Sequence, residues 1–214
     1  MRALYDSKSK GNDRGIKKLL TKEAKIESWL LAEAALADAQ AEEGFIPRSA
    51  ADNIIENAKL ERIDLEEMDR IQAKVGHGFV PFVKVLVKAC SEEGGKYVHY
   101  GVTTQNIQQT SQLYITRQVT EIYKSFLADI LKNLAALARD NADAVMPGRT
   151  HGKHAIPITY GYKVSVWISE LLTGIERLEE AEKSSEREAK KLIDLGRIKA
   201  EEEEKRRREQ EEAA

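Results

Sequence analysis

An all-α protein is what this sequence predicts, and three observations lead there. Ala, Leu, Ile, Lys and Glu dominate a chain of 214 residues with only four prolines, a composition that suits helices better than sheets. Apolar residues return every three or four positions over long stretches, the period of a helix that buries one side. Glycine and proline fall mostly between those stretches, where helices begin and end.

Taken in order, residues 1 to 16 are polar, are broken by Gly11 and Gly15, and specify little. From Ile16 the positions Leu19, Leu20, Ala24, Ile26, Leu30, Leu31, Ala34, Ala35, Leu36 and Ala39 predict one long helix, stopped by Gly44 at a favoured C-terminal cap position. Ile46-Pro47-Arg48-Ser49 reads as a turn, followed by a short helix through Ala50, Ile54, Ile55 and Ala58 and another from Asp64 to about Val75. Gly76-His77-Gly78 breaks the pattern before an apolar run from Phe79 to Val87 that ends at Gly94-Gly95. Its β-branched residues and Pro81 would permit a strand, but its length and helical surroundings favour a buried helix.

Next comes a polar, aromatic loop from Lys96 to Asn106, in which Thr103 or Thr104 is placed to cap a helix. That helix keeps its spacing from Ile107 through Tyr114, Ile122, Phe126, Ile130, Leu134 and Leu137 to Asn141, about ten turns, a length that belongs in a bundle. Pro147, Gly148, Gly152 and Pro157 keep residues 147–157 out of regular helix, so His151 and His154 are expected on a turn. A final amphipathic helix runs through Tyr160, Val164, Trp167, Ile168, Leu171, Ile175 and Leu178. Residues 183–214 end in an almost wholly charged stretch, expected to be a solvated helix or disordered.

Charge and cysteine use narrow the function classes. A net charge of −2, from 34 basic and 36 acidic side chains, gives no footprint for nucleic acid or an anionic membrane. The single cysteine, Cys90, excludes an internal disulfide and lies in an apolar run, where it reads as a small hydrophobe rather than a nucleophile. No apolar stretch approaches transmembrane length and no signal peptide opens the sequence, so a cytoplasmic protein is expected.

All four histidines, His77, His99, His151 and His154, fall in the three Gly-rich breaks. Histidine titrates near neutrality, and a loop held by rigid helices can aim it at a substrate as proton donor or acceptor. A lone loop histidine more often bonds a nearby carbonyl; the clustering is what favours chemistry. His151-x-x-His154 with His77 or His99 could supply metal ligands, but the helical spacing and a carboxylate partner are missing, so no metal is expected. Gly101-Val-Thr-Thr-Gln-Asn106 offers hydroxyls, amides and backbone N–H groups at a helix N-terminus, suited to a carboxylate or phosphate, although an ordinary cap would look the same. Arg149 and Lys153 add positive charge beside His151, which favours a small anionic substrate.

These residues carry a resemblance. Val98-His-Tyr-Gly-Val-Thr-Thr-Gln-Asn-Ile-Gln-Gln-Thr110 resembles the first signature of the aspartase/fumarase lyase superfamily, and Gly148-Arg-Thr-His-Gly-Lys-His-Ala-Ile-Pro-Ile-Thr-Tyr-Gly161 resembles the second. The Thr-His-Gly form, the neighbouring His154 and the run from Trp29 to Pro47 are most similar to the adenylosuccinate lyase branch. The resemblance covers about Lys22 to about Glu180.

It implies a helical protein whose long-helix bundle assembles into a homotetramer, with each active site built from three subunits. It also implies elimination of fumarate from a succinyl adduct without a cofactor. A base removes a Cβ proton, the carbanion is held as an aci-carboxylate, and an acid protonates the leaving nitrogen. His151 matches the general acid and His77 a second catalytic histidine. Thr103, Thr104 and Gln105 match the loop that holds the substrate carboxylate, with His99 and Tyr100 beside it. Apart from the resemblance, Arg149, Thr150 and Lys153, around His151, join the candidate substrate-binding set through their charge and hydroxyl. The implied division is a helical domain over 1–95, a partial central bundle over 96–182 and a tail over 183–214.

The departures are specific. Nothing here matches the third signature, a Gly-Ser-Ser-x-Met-Pro-x-Lys-x-Asn-Pro loop whose serine is the usual base; Ser184-Ser185 is followed by Glu186-Arg187. Gly78 and Asn106 stand where carboxylates are common, and Lys153 replaces a glutamine or small residue. A truncated lyase with weak or no activity alone is therefore expected; the alternative is a non-catalytic helical oligomerisation protein with vestigial motifs.

Overall fold

A computed structural model describes residues 12–184, which divide into two compact units within 1–122 and 123–214. The polar start up to residue 11 and the charged tail beyond Ser184 lie outside the described residues. Among the described residues the architecture is all-α except for one antiparallel hairpin.

The first unit opens with a single turn, α1 (Ile16–Leu19), and continues into α2 (Lys22–Glu42). The expected single long helix is thus two: the chain breaks at Leu20-Thr21, where Thr21 leaves helical geometry and its hydroxyl accepts the Ala24 N–H at 3.1 Å. A side-chain acceptor at an N-cap outweighs continued periodicity there. Pro47 precedes α3 (Arg48–Asn57), the 3₁₀ turn η1 (Leu60–Arg62) follows, and Asp64 caps α4 (Leu65–Val75) through the Glu67 N–H. Gly76, at φ 67°, ends α4 in the left-handed conformation that glycine adopts without cost.

The apolar run forms α5 (Val80–Ala89), with Pro81 in its first turn, where a missing N–H costs nothing. It stops short of Gly94-Gly95, because Ser91 caps a separate turn, α6 (Glu92–Gly95), by accepting the Gly94 N–H at 3.1 Å. Trp29, Phe79 and Phe82 centre the core with ring centroids 4.9–5.3 Å apart, and Ile26, Leu30, Ile54, Leu86 and Ile107 pack around them. The long α7 (Thr104–Asp140) starts in this unit and ends in the second. Near its start the buried Ser111 hydroxyl donates to the Ser28 carbonyl of α2 at 3.0 Å.

The second unit holds the end of α7, strands β1 (Val145–Thr150) and β2 (Lys153–Thr159), and α8, helical over 160–184. The end of α7 and the start of α8 are bound together: the Gly161 N–H donates to the Asn141 carbonyl at 2.9 Å and the Tyr160 N–H to the Ala144 carbonyl at 2.8 Å. Among the described residues no helix is long and apolar enough to cross a membrane.

Candidate functional site

In the first unit the candidate residues gather around the 96–103 loop. Two of its residues are left-handed, His99 at φ 59° and Gly101 at φ 70°. Glycine accepts that conformation freely; histidine needs contacts to hold it. Those contacts come from α2. The Glu33 carboxylate, 1% exposed, lies 2.6 Å from Nδ1 of His99, and Gln40, two turns on, donates to the Tyr100 carbonyl at 2.8 Å. Burial pushes the Glu33 carboxyl above its ordinary range, while the His99 ring bonded to it pulls it back. The His99 ring also packs on Phe79, 5.4 Å between centroids.

His77 meets the same residue through its backbone. Its Nδ1 accepts the N–H groups of Phe79 and Val80 at 3.1 and 3.2 Å, capping the start of α5. An accepting Nδ1 leaves the proton of the neutral ring on Nε2. His77 thus bonds the Phe79 backbone while His99 packs on the Phe79 ring, so one residue links the two histidines. Downstream, Thr103 is the cap of α7. Its hydroxyl accepts the Gln105 N–H at 3.2 Å, and the Asn106 side chain returns to accept the Thr103 N–H at 2.9 Å. This reciprocal pair fixes Thr103, Thr104 and Gln105 around the first turn of α7.

In the second unit Arg149, Thr150, His151 and Lys153 share the hairpin. Residues 147–157, expected as an irregular turn, are instead mostly strand, with only His151-Gly152 as the turn. Both turn residues have positive φ, 48° and 76°, the requirement of a two-residue type I′ connection. The prolines do not prevent pairing because Pro147 and Pro157 face each other in a two-stranded ribbon, where both strands are edges. Gly148 sits at a bulge, between the Pro147–Pro157 and Arg149–His154 pairs, and a Cβ there would lie 2.8 Å from the Ile156 carbonyl. His151 therefore stands exposed at the tip, with Thr150 and Lys153 paired beneath it and Arg149 paired with His154. His154 is on β2 rather than on the turn.

Sequence reasoning missed Glu33 and Gln40. The available signal was position: Ile26, Leu30, Glu33, Ala37 and Gln40 fall on one stripe of α2, so a carboxylate sits within its buried apolar face and an amide at its end. Cys90 is half-buried, and burial pushes its thiol up to about 11, as a small hydrophobe requires and a nucleophile does not. Among the described residues no three His, Cys, Asp or Glu side chains converge as metal ligands would.

A model of the family described as Lyase matches residues 8–191. The chain is 40% identical over 157 residues to an adenylosuccinate lyase of Methanothermobacter thermautotrophicus, covering 73% of this chain and 35% of that one. It is 39% identical over 161 residues to an N-acetyl-S-(2-succino)cysteine lyase of Enterococcus italicus, covering 74% of this chain and 34% of the relative. Among solved structures, a fumarate lyase from a Mesorhizobium species superimposes with a TM-score of 0.72 at 37% identity, over 78% of this chain and 40% of that one. The chain thus spans about a third of the length of these curated relatives.

Proposed function

The chain belongs to the aspartase/fumarase lyase superfamily and is adenylosuccinate lyase-like, and from that premise we propose that it carries the acid and substrate-binding parts of a fumarate-releasing C–N lyase site. In this reading a base removes the Cβ proton of a succinyl nucleotide, the electron pair forms the C=C bond of fumarate, the C–N bond breaks, and His151 gives its proton to the departing nitrogen. His77 assists through Nε2, the ring atom left free by its capping role. Thr103, Thr104 and Gln105 bind the substrate carboxylate at the start of α7, where N–H groups and the helix dipole favour negative charge. His99 and Tyr100 bind beside them, and Arg149, Thr150 and Lys153 hold the anion against the hairpin. No cofactor takes part.

One observation carries the reading most. Both signature segments take up forms suited to an anionic substrate, a reciprocally capped helix start and a hairpin whose tip presents His151 between Thr150 and Lys153. We assign residues 1–95 to a helical domain and 96–182 to part of a bundle that pairs with other copies, so that the His77–His99 group and the His151 hairpin of different subunits serve one substrate in a homotetramer. Purine biosynthesis in the cytoplasm is the corresponding setting. The relatives' names do not favour a non-catalytic assembly protein.

No segment of this sequence matches the serine loop that supplies the base, so the chain alone is slow or inactive, since elimination needs both proton transfers in one site. The test is a difference-absorbance assay of adenylosuccinate cleavage, with and without a second polypeptide carrying the third signature. Turnover that requires the second polypeptide and disappears in His151→Ala is expected. Rapid turnover by the chain alone that survives His151→Ala would overturn the assignment.

A further inference from the structure

We infer that Glu33 is a positioning residue: its buried carboxylate accepts the Nδ1–H of His99, sets the ring's tautomer and plane, and leaves Nε2 as the one ring atom open to a bound anionic substrate. This rests on the reading of His99 as a substrate-binding residue. Four observations support it. The Glu33–Nδ1 distance is 2.6 Å, short enough for a charge-assisted hydrogen bond. The carboxylate is 1% exposed, and the ring it meets is carried on a left-handed backbone, φ 59°. Phe79 packs on the ring, 5.4 Å between centroids. Nε2 makes no hydrogen bond among the described residues, yet it is not a buried orphan, so it reaches solvent while Nδ1 does not compete.

Stability alone does not account for this pair. A buried ion or hydrogen-bonded charge is often matched or bettered by apolar residues of the same size, and a non-glycine residue at positive φ adds a further cost. Both costs fall on one contact in the loop that precedes the substrate-binding turn. Which ring nitrogen carries the proton is set by the bond the other makes, and here that bond comes from a residue outside both signature segments.

The test is long-range ¹H–¹⁵N correlation spectroscopy of the histidine-labelled chain near neutral pH. His99 is expected with Nδ1 protonated in one tautomer in wild type, and in mixed tautomers in Glu33→Leu. A bare Nδ1 in wild type, with Glu33 acting as the donor, would overturn the inference, and that spectrum needs no variant to fold. An unchanged His99 pattern in Glu33→Leu would overturn it equally. Titration with adenylosuccinate separates this from the site reading. Glu33→Leu should bind on the order of tenfold more weakly, the effect of losing one charge-assisted hydrogen bond. If His99→Ala binds as wild type does, the substrate role of His99 fails whatever its tautomer.

Discussion

Among the described glycines of the second unit Gly161 would bring a Cβ closest to backbone, and replacing it with alanine tests whether that crossing holds the hairpin in place. A Cβ at Gly161 would lie 2.5 Å from the Ala138 carbonyl oxygen and 2.9 Å from both the Ala142 Cα and the Asn141 oxygen. All three are main-chain atoms, so no side chain can swing away. Relief requires the start of α8 to move from the end of α7 by about 1 Å, the shortfall from ordinary van der Waals contact. That movement strains the Gly161–Asn141 and Tyr160–Ala144 hydrogen bonds, 2.9 and 2.8 Å, which close the base of the His151 hairpin. Overpacking costs about 1–3 kcal/mol and each lost hydrogen bond about 1 kcal/mol, so Gly161→Ala should destabilise by about 3 kcal/mol. Urea unfolding followed by circular dichroism reads this as a lowered midpoint at unchanged slope. Gly174→Ala is the internal control: nothing lies within 4 Å of a Cβ there, and alanine in a helix should stabilise by about 0.5–1 kcal/mol. Gly161→Ala within about 0.5 kcal/mol of wild type would refute the close-crossing argument, because random surface changes give that much.

Three further outcomes follow from the same contacts. His77→Ala should cost about 1 kcal/mol by removing the cap of α5, whereas His77→Asn, which keeps an acceptor, restores most of it; equal losses in urea unfolding would show that the cap is not what His77 provides. Cys90, with its thiol pushed up to about 11, should react with an aromatic disulfide at neutral pH more than about tenfold slower than a free thiol, and a rate matching the free thiol contradicts its burial. Glu33 keeps its proton to higher pH folded than unfolded, so its stabilising contribution is full below the ordinary carboxylate range and is lost as pH rises through the raised value. Glu33→Gln, which cannot ionise, should therefore improve relative to wild type as pH rises through that window; a stability difference that does not change with pH would show that Glu33 is not perturbed.

The helices were legible because each buries a stripe with a regular period, and Asp64 and Gly76 mark the ends of α4 as their chemistry predicts. Periodicity is blind to local caps. It ran through Thr21 and Ser91, where a single hydroxyl turning to accept a backbone N–H ends one helix and starts another. The hairpin was hidden for a different reason: Pro147 and Pro157 forbid helix and usually forbid a central strand, and only their mutual pairing in a two-stranded ribbon makes them compatible with one. His151-Gly152, expected on a turn, was not read as a hairpin connection, although histidine tolerates positive φ better than most residues. Candidate site residues were open to proposal from their types, spacing and family resemblance. Their partners were not, because Glu33 meets His99 across 66 positions and nothing local in the sequence announces a carboxylate aimed inward.

The account stands most directly on whether the His99 loop and the His151 hairpin serve one substrate. Histidine-labelled chain titrated with adenylosuccinate, its ring signals followed individually and its solution mass measured on the same sample, decides this. The account predicts that the signals of His99 and His151 shift together with one midpoint, in an oligomer. Signals that stay fixed, or that move with different midpoints, would contradict it.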